Sequence, residues 1–131
     1  MAYRVYLVDD DRFLLDLYAV KFKNAGHEVA VFGSGSDLLA TLRKGGEAGS
    51  PDAVLLDLIM PGMTGFEILE TVRKENLAKN TKFIVLSNQG QDSDIEKAKS
   101  LKADGYIIKA SAIPSEVLAE TLRTIEGGAK K

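Results

Sequence analysis

Four short apolar runs, each stopped by a polar or charged residue, constrain this chain more than any other feature. Val5-Tyr6-Leu7-Val8 runs into Asp9-Asp10-Asp11, and Ala53-Val54-Leu55-Leu56 runs into Asp57. Phe83-Ile84-Val85-Leu86 ends at Ser87, and Tyr106-Ile107-Ile108 ends at Lys109. Continuous apolar runs of this length, alternating with longer helical patterns, indicate parallel strands covered on both faces. In an open parallel sheet the carboxyl ends of the strands share one edge, and ligands bind there. Asp9, Asp10, Asp57, Ser87 and Lys109 are therefore expected to meet in one cleft.

The periodicity predicts strands over 3–8, 28–32, 52–57, 82–87 and 104–109, and helices over 12–25, 36–45, 64–75, 92–102 and 114–126. Strict alternation of strand and helix predicts a three-layer doubly wound α/β sheet, because right-handed crossovers place helices on both faces. The last helix carries the clearest stripe, Val117, Leu118, Thr121, Leu122 and Ile125, with Pro114 suited to its first turn. The third helix sets Phe66, Ile68, Leu69 and Val72 on one side, with Glu67, Glu70 and Arg73 expected outside. The fourth recurs only at Ile95, Ala98 and Leu101, so it is expected to be the least tightly held. With 131 residues the chain suits one domain, expected over 1–126, followed by a frayed tail at 127–131.

A net charge of -2 gives no broad basic footprint for direct nucleic-acid binding. There is no cysteine, which excludes disulfides and thiolate metal sites. No apolar stretch approaches a membrane span, and the first apolar run, broken by Arg4 and closed by three aspartates, is no secretory signal. A cytoplasmic protein is expected.

The chemistry follows from the strand ends. If the first and third strands are neighbours, three carboxylates lie close together and need a compensating cation. Lys109 and a bound divalent metal are the two candidates, and an all-oxygen donor set favours Mg2+. A carboxylate is a competent nucleophile toward phosphorus, and phosphoryl transfer needs mainly placement and neutralisation of the equatorial oxygens. Taken singly, each residue has an ordinary reading: the aspartates as a solvated turn or a helix cap, Asp11 as the first-turn acid of the first helix, Ser87 as a turn former, Lys109 as an exposed end, Tyr106 as strand packing. The lone His27, near the start of the second strand and away from the cleft, reads as a surface residue. It is the coincidence of four strand ends that carries the site.

The strings Leu7-Val8-Asp9-Asp10-Asp11, Leu55-Leu56-Asp57-Leu58-Ile59-Met60-Pro61-Gly62-Met63-Thr64-Gly65, Val85-Leu86-Ser87 and Gly105-Tyr106-Ile107-Ile108-Lys109 closely resemble a CheY-like response-regulator receiver domain of two-component signalling. The resemblance runs over about residues 3–126. It implies a flavodoxin-like strand order 2-1-3-4-5, Asp57 as phosphoacceptor, and Asp9, Asp10, Asp57 and the Ile59 backbone carbonyl as Mg2+ ligands. It also implies that Ser87 and Lys109 engage the phosphoryl group and that Tyr106 is the aromatic switch. The implied partners are a histidine kinase or histidine phosphotransferase, and a downstream protein met through the face of the fourth helix, fifth strand and fifth helix. The same face would serve for homodimerisation. Such a domain is a switch that catalyses its own phosphotransfer and dephosphorylation rather than an enzyme acting on a separate product.

The chain departs from the family at Ala110, where proline is usual, in a slightly lengthened Ser111-Ala112-Ile113 connection, and at Asn88, where a small residue is common. Ile59 is apolar where some members help place a hydrolytic water, so slow self-dephosphorylation is expected. A haloacid-dehalogenase-type phosphatase would need an aspartate at the position of Ile59. A flavodoxin-like cofactor binder would not put three aspartates where phosphate must sit. The remaining rival is a receiver-like scaffold that binds partners without phosphorylation; losing an acid, Ser87 or Lys109 would favour it, and all are present.

Overall fold

The computed structural model describes residues 2–88, 91–109 and 112–127. Five strands alternate with five helices: β1 (Arg4–Val8), α1 (Arg12–Asn24), β2 (Glu28–Phe32), α2 (Gly35–Arg43), β3 (Ala53–Leu56), α3 (Gly65–Glu75), β4 (Lys82–Ser87), α4 (Asp92–Ser100), β5 (Gly105–Ile108) and α5 (Pro114–Gly127). The strands form one sheet, all parallel, in the order β2-β1-β3-β4-β5. This is the doubly wound arrangement implied above. The departure at Ala110, together with Ser111, and most of the expected tail, residues 128–131, lie outside the described residues.

Side-chain parity divides the core into two layers, because successive strand residues point to opposite faces. Tyr6, Val8, Val54, Leu56, Phe83 and Val85 meet α2 and α3 through Leu38, Leu39, Leu42, Ile68, Leu69 and Val72. Val5, Leu7, Leu55, Ile84 and Leu86 meet α1 through Leu15, Tyr18 and Phe22, and α5 through Val117. Each fully buried Leu, Ile, Val or Phe contributes roughly 1.5–3 kcal/mol. α4 brings only Ala98 to the core and has no side-chain N-cap, which makes it the weakest-held helix, as its composition predicts.

Local signals fix the helix starts. The Asp11 carboxylate accepts from the Leu14 N–H, and Ser34 accepts from Asp37. Thr64 and Glu67 form a reciprocal capping box at the head of α3. Gly65 is required there by close approach. An added Cβ would lie 2.5 Å from the Asp57 carbonyl oxygen and 3.0 Å from Leu58 Cα, so the helix start sits directly on the end of β3.

Two expectations need correction. His27 is buried, not a surface residue: its Nδ1 accepts the Tyr3 backbone N–H at 3.0 Å and its ring stacks on Tyr3. Arg73 does not point outward into solvent. Its guanidinium donates to the carbonyls of Leu101 (3.2 Å) and Lys102 (2.6 Å) and lies 5.1 Å from the Phe83 ring centroid. It therefore caps the C-terminal end of α4, where a cation also complements the helix dipole. Among the described residues, no helix is long and apolar enough to cross a membrane.

Candidate functional site

The parallel register of β1 and β3 pairs Val8 with Leu56, so the next residues, Asp9 and Asp57, leave the sheet side by side. The ladder continues into them: the Asp57 N–H donates to the Val8 carbonyl at 3.0 Å, and the Asp9 N–H to the Phe32 carbonyl at 3.1 Å. Both side chains share the parity of Leu7 and Leu55 and so lie on the α1 side of the sheet. On the other side of β3, β4 and β5 pair Ser87 with Ile108, which delivers Ser87 and Lys109 to the same edge.

Lys109 crosses to the carboxylates. Its Nζ lies 2.5 Å from Asp9 Oδ2 and 3.6 Å from Asp57 Oδ2, and all three side chains are nearly inaccessible to water. Asp9 Oδ1 accepts the Asp11 N–H at 3.0 Å, and Asp57 Oδ1 accepts the Leu58 N–H at 2.9 Å. Asp9, Asp10 and Asp57 each offer a carboxylate oxygen, and these atoms lie within 4.8 Å of one another. Asp9 and Asp57 are buried while Asp10 is exposed, so the cluster opens to solvent on one side.

Electrostatics at Asp57 are a contest. Burial raises its pKa and the Asp9 charge adds to this; Lys109 and the N–H groups of Leu58 and Ile59 oppose, and the net direction is up. At Lys109 burial works against the charge, but the Asp9 hydrogen bond and the Asp9 and Asp57 charges outweigh it, so the ammonium is held. An ionised Asp57 is thus kept in place at a cost, beside a fixed cation.

The remaining expected residues surround this centre. Ser87 is 1 % exposed at the end of β4. Tyr106 is half-buried in β5, and the Asp57 charge reaches its phenol, whose pKa is raised by burial first and then by Asp94 and Asp57. Ile59 is 60 % exposed immediately beyond Asp57, and Asn88 is exposed beyond Ser87. The structure therefore brings Asp9, Asp10, Asp57 and Lys109 into one cluster, with Ile59 and Tyr106 beside it and Ser87 at the same sheet edge.

Two features escaped the sequence reading. Tyr18 of α1 lies beneath the cluster, hidden within an ordinary helical core stripe. The outer face of α1 carries a second apolar stripe, Phe13, Leu17 and Val20, all exposed. The signal for the second was present, since α1 is apolar nearly all round although a sheet buries only one side of a helix.

Residues 5–122 match the family model described as the response regulator receiver domain. The DNA-binding response regulator MtrA of Mycolicibacterium smegmatis is 30% identical over 119 residues, covering 91% of this chain and 49% of its own. The chain thus spans about half the length of the curated relatives it matches most of the way. Among solved structures, the Vibrio cholerae chemotaxis protein CheY4 superposes with a TM-score of 0.83 at 27% identity, covering 95% of this chain and 99% of its own. The response regulator TrrA of Thermotoga maritima, in complex with Mg2+–BeF, gives 0.76 at 25% identity, covering 94% and 98%. With the strand order, the acidic edge and these likenesses in agreement, the chain belongs to the response regulator receiver domain family.

Proposed function

We propose that this receiver domain is a phosphorylation-operated switch in which Asp57 accepts a phosphoryl group from a phosphohistidine donor, a histidine kinase or histidine phosphotransferase. The observation that carries the reading is Asp57 itself, a buried carboxylate flanked by Lys109 and by a second buried carboxylate, yet opening to solvent on the Asp10 side. Asp9, Asp10 and Asp57 are a hard oxygen donor set of the kind Mg2+ takes, and the Ile59 carbonyl would complete the protein's share. When bound, the ion neutralises the carboxylates and the phosphoryl oxygens that converge on them.

An Asp57 carboxylate oxygen attacks phosphorus, an O–P bond forms, and the donor's N–P bond breaks with the electron pair returning to imidazole. Lys109, already held at the carboxylates, takes up charge on the phosphoryl oxygens, and the Ser87 hydroxyl donates to another. Tyr106 then follows Ser87, changing the α4–β5–α5 face that meets a downstream protein or a second copy. Switching of this kind is a local charge event acting on a bistable element, and the weakly anchored α4 is suited to it.

The exposed stripe of Phe13, Leu17 and Val20 begins one turn beyond Asp9–Asp11, and Ile59 and Ile113 are exposed on loops at the same edge of the sheet. These supply an apolar rim for docking the donor, whose spacing of four and three residues along α1 suits a partner helix. Because Ile59 offers no polar group to orient water, the phosphoryl group is expected to be long-lived, and Ile59→Asn to shorten its half-life.

Intact-mass spectrometry after incubation with a small phosphodonor and Mg2+ tests the reading. One base-labile phosphoryl group is expected on the parent and none on Asp57→Ala. A folded parent that stays unmodified, under conditions that label a control receiver, would overturn it in favour of a phosphorylation-independent scaffold.

A further inference from the structure

Tyr18 is 5 % exposed on the inner face of α1, among Leu15, Ala19 and Phe22. A buried tyrosine hydroxyl ordinarily finds a hydrogen-bond partner. Among the described residues no protein group hydrogen-bonds this one. The residue borders a small void of about 10 Å³, whose polar walls are Asp9, Asp57 and Tyr18 and whose other walls are apolar side chains of β1, β3, β4 and α1. That volume matches roughly one water, which also needs two to four polar partners. Burial raises the Tyr18 pKa despite Lys109 nearby, so the group is a neutral hydroxyl able to donate.

The two carboxylates are not equally satisfied. Asp9 has one oxygen on the Asp11 N–H and the other 2.5 Å from Lys109. Asp57 Oδ1 accepts from Leu58 at 2.9 Å, but Oδ2 reaches Lys109 only at 3.6 Å, beyond good hydrogen-bond distance. Asp57 is therefore the acceptor with capacity to spare.

We propose that Tyr18 is a positioning residue for the phosphoacceptor: its hydroxyl holds one buried water in this void, and that water donates to the Asp57 carboxylate from beneath. The inference rests on the phosphoacceptor reading above and deepens it. Lys109 on one side and the N–H groups of Leu58 and Ile59 on the other act on Asp57, and the water adds a contact from beneath, holding the carboxylate oriented for attack. Tyr18 touches neither donor nor phosphoryl group. It acts only on the orientation of the nucleophile.

Tyr18→Phe removes the hydroxyl and keeps the ring. The rate constant for Asp57 phosphorylation at saturating small donor is expected to fall about tenfold, the scale of one lost hydrogen bond to a charged group. The donor and Mg2+ concentrations for half-saturation are expected to stay at the parent values, a split that general loosening would not produce. Phe22→Leu, a core change on the same face of α1 that does not line the void, is expected to keep the parent rate. A high-resolution crystal structure of the parent is expected to show one water bonded to Tyr18 Oη and an Asp57 oxygen, and Tyr18→Phe to lose it. A parent rate in Tyr18→Phe, an equal loss in Phe22→Leu, or a dry void would each overturn the inference. If the parent itself is never labelled, the phosphoacceptor reading falls instead, and the crystallographic arm still decides whether Tyr18 holds the water.

Discussion

Replacing Lys109 by methionine removes the cation from a site that holds two buried carboxylates. With Nζ at 2.5 Å from Asp9 and 3.6 Å from Asp57, the gross Coulomb attractions at an effective dielectric near 20 are about 7 and about 5 kcal/mol. Desolvating three charged groups offsets much of that, so the intact cluster adds little net stability. Truncating one partner is a different matter. It keeps the desolvation cost of the carboxylates and deletes the attraction, for an expected loss of about 3–5 kcal/mol in Mg2+-free buffer. Domains of this size have total stabilities of about 5–15 kcal/mol, so the loss is readily measured.

The pH dependence of that loss has a definite sign. Burial and the Asp9 charge raise the folded-state pKa of Asp57, and the Lys109 ammonium opposes them most strongly. Without Lys109 the value rises further. A carboxyl whose folded pKa exceeds its unfolded value contributes stability below the unfolded pKa and loses it as pH rises through the folded one. The deficit of Lys109→Met should therefore be greater near about pH 8 than near about pH 5, where carboxyls begin to protonate. Urea unfolding followed by circular dichroism, in chelator and then in Mg2+, measures both effects. Mg2+ should stabilise the variant more than the parent, because the site it enters is more negative; saturation at a hundred times Kd contributes about 2.7 kcal/mol. A variant within about 1 kcal/mol of the parent in chelator, or equal stabilisation of both by Mg2+, would refute the electrostatic account.

Three further outcomes follow from the same geometry. Asp57→Asn should be more stable than the parent in chelator, with the gap opening as pH rises through the carboxylate range, since the fold holds that charge at a cost; a lower urea midpoint at neutral pH would contradict this. Gly65→Ala should cost about 1–3 kcal/mol and slow phosphorylation, because its Cβ would meet the Asp57 carbonyl oxygen at 2.5 Å; unchanged denaturation and labelling would show that the α3 start can move freely. Arg73→Met should accelerate amide hydrogen exchange in α4 while leaving β1 and β3 protected, because two carbonyl contacts at the end of α4 are lost; equal acceleration throughout would mean that Arg73 supports the whole fold.

The site was legible because polarity changes abruptly where each strand stops: Val8 to Asp9, Leu56 to Asp57, Leu86 to Ser87, Ile108 to Lys109. A fully buried parallel strand tolerates no such residue inside, so the first one marks the sheet edge. Strand order was not legible this way. It came from the family resemblance, because five apolar runs alone do not say which lie side by side. His27 and Arg73 were misread for one physical reason. A polar residue looks solvated until its partner is known, and their partners, the Tyr3 N–H and the end of α4, lie 24 and 28 or more positions away. Tyr18 was hidden by the opposite effect, since its ring satisfies the core pattern of α1 and only the hydroxyl departs from it. Phe13, Leu17 and Val20 carry the same lesson outward. Periodicity identifies apolar residues but not what covers them, and α1 has one side for the sheet and one left over. In this fold the leftover side begins at the loop that delivers Asp9, so the residues that sequence reasoning would assign to the core border the cleft that the proposed donor would have to reach.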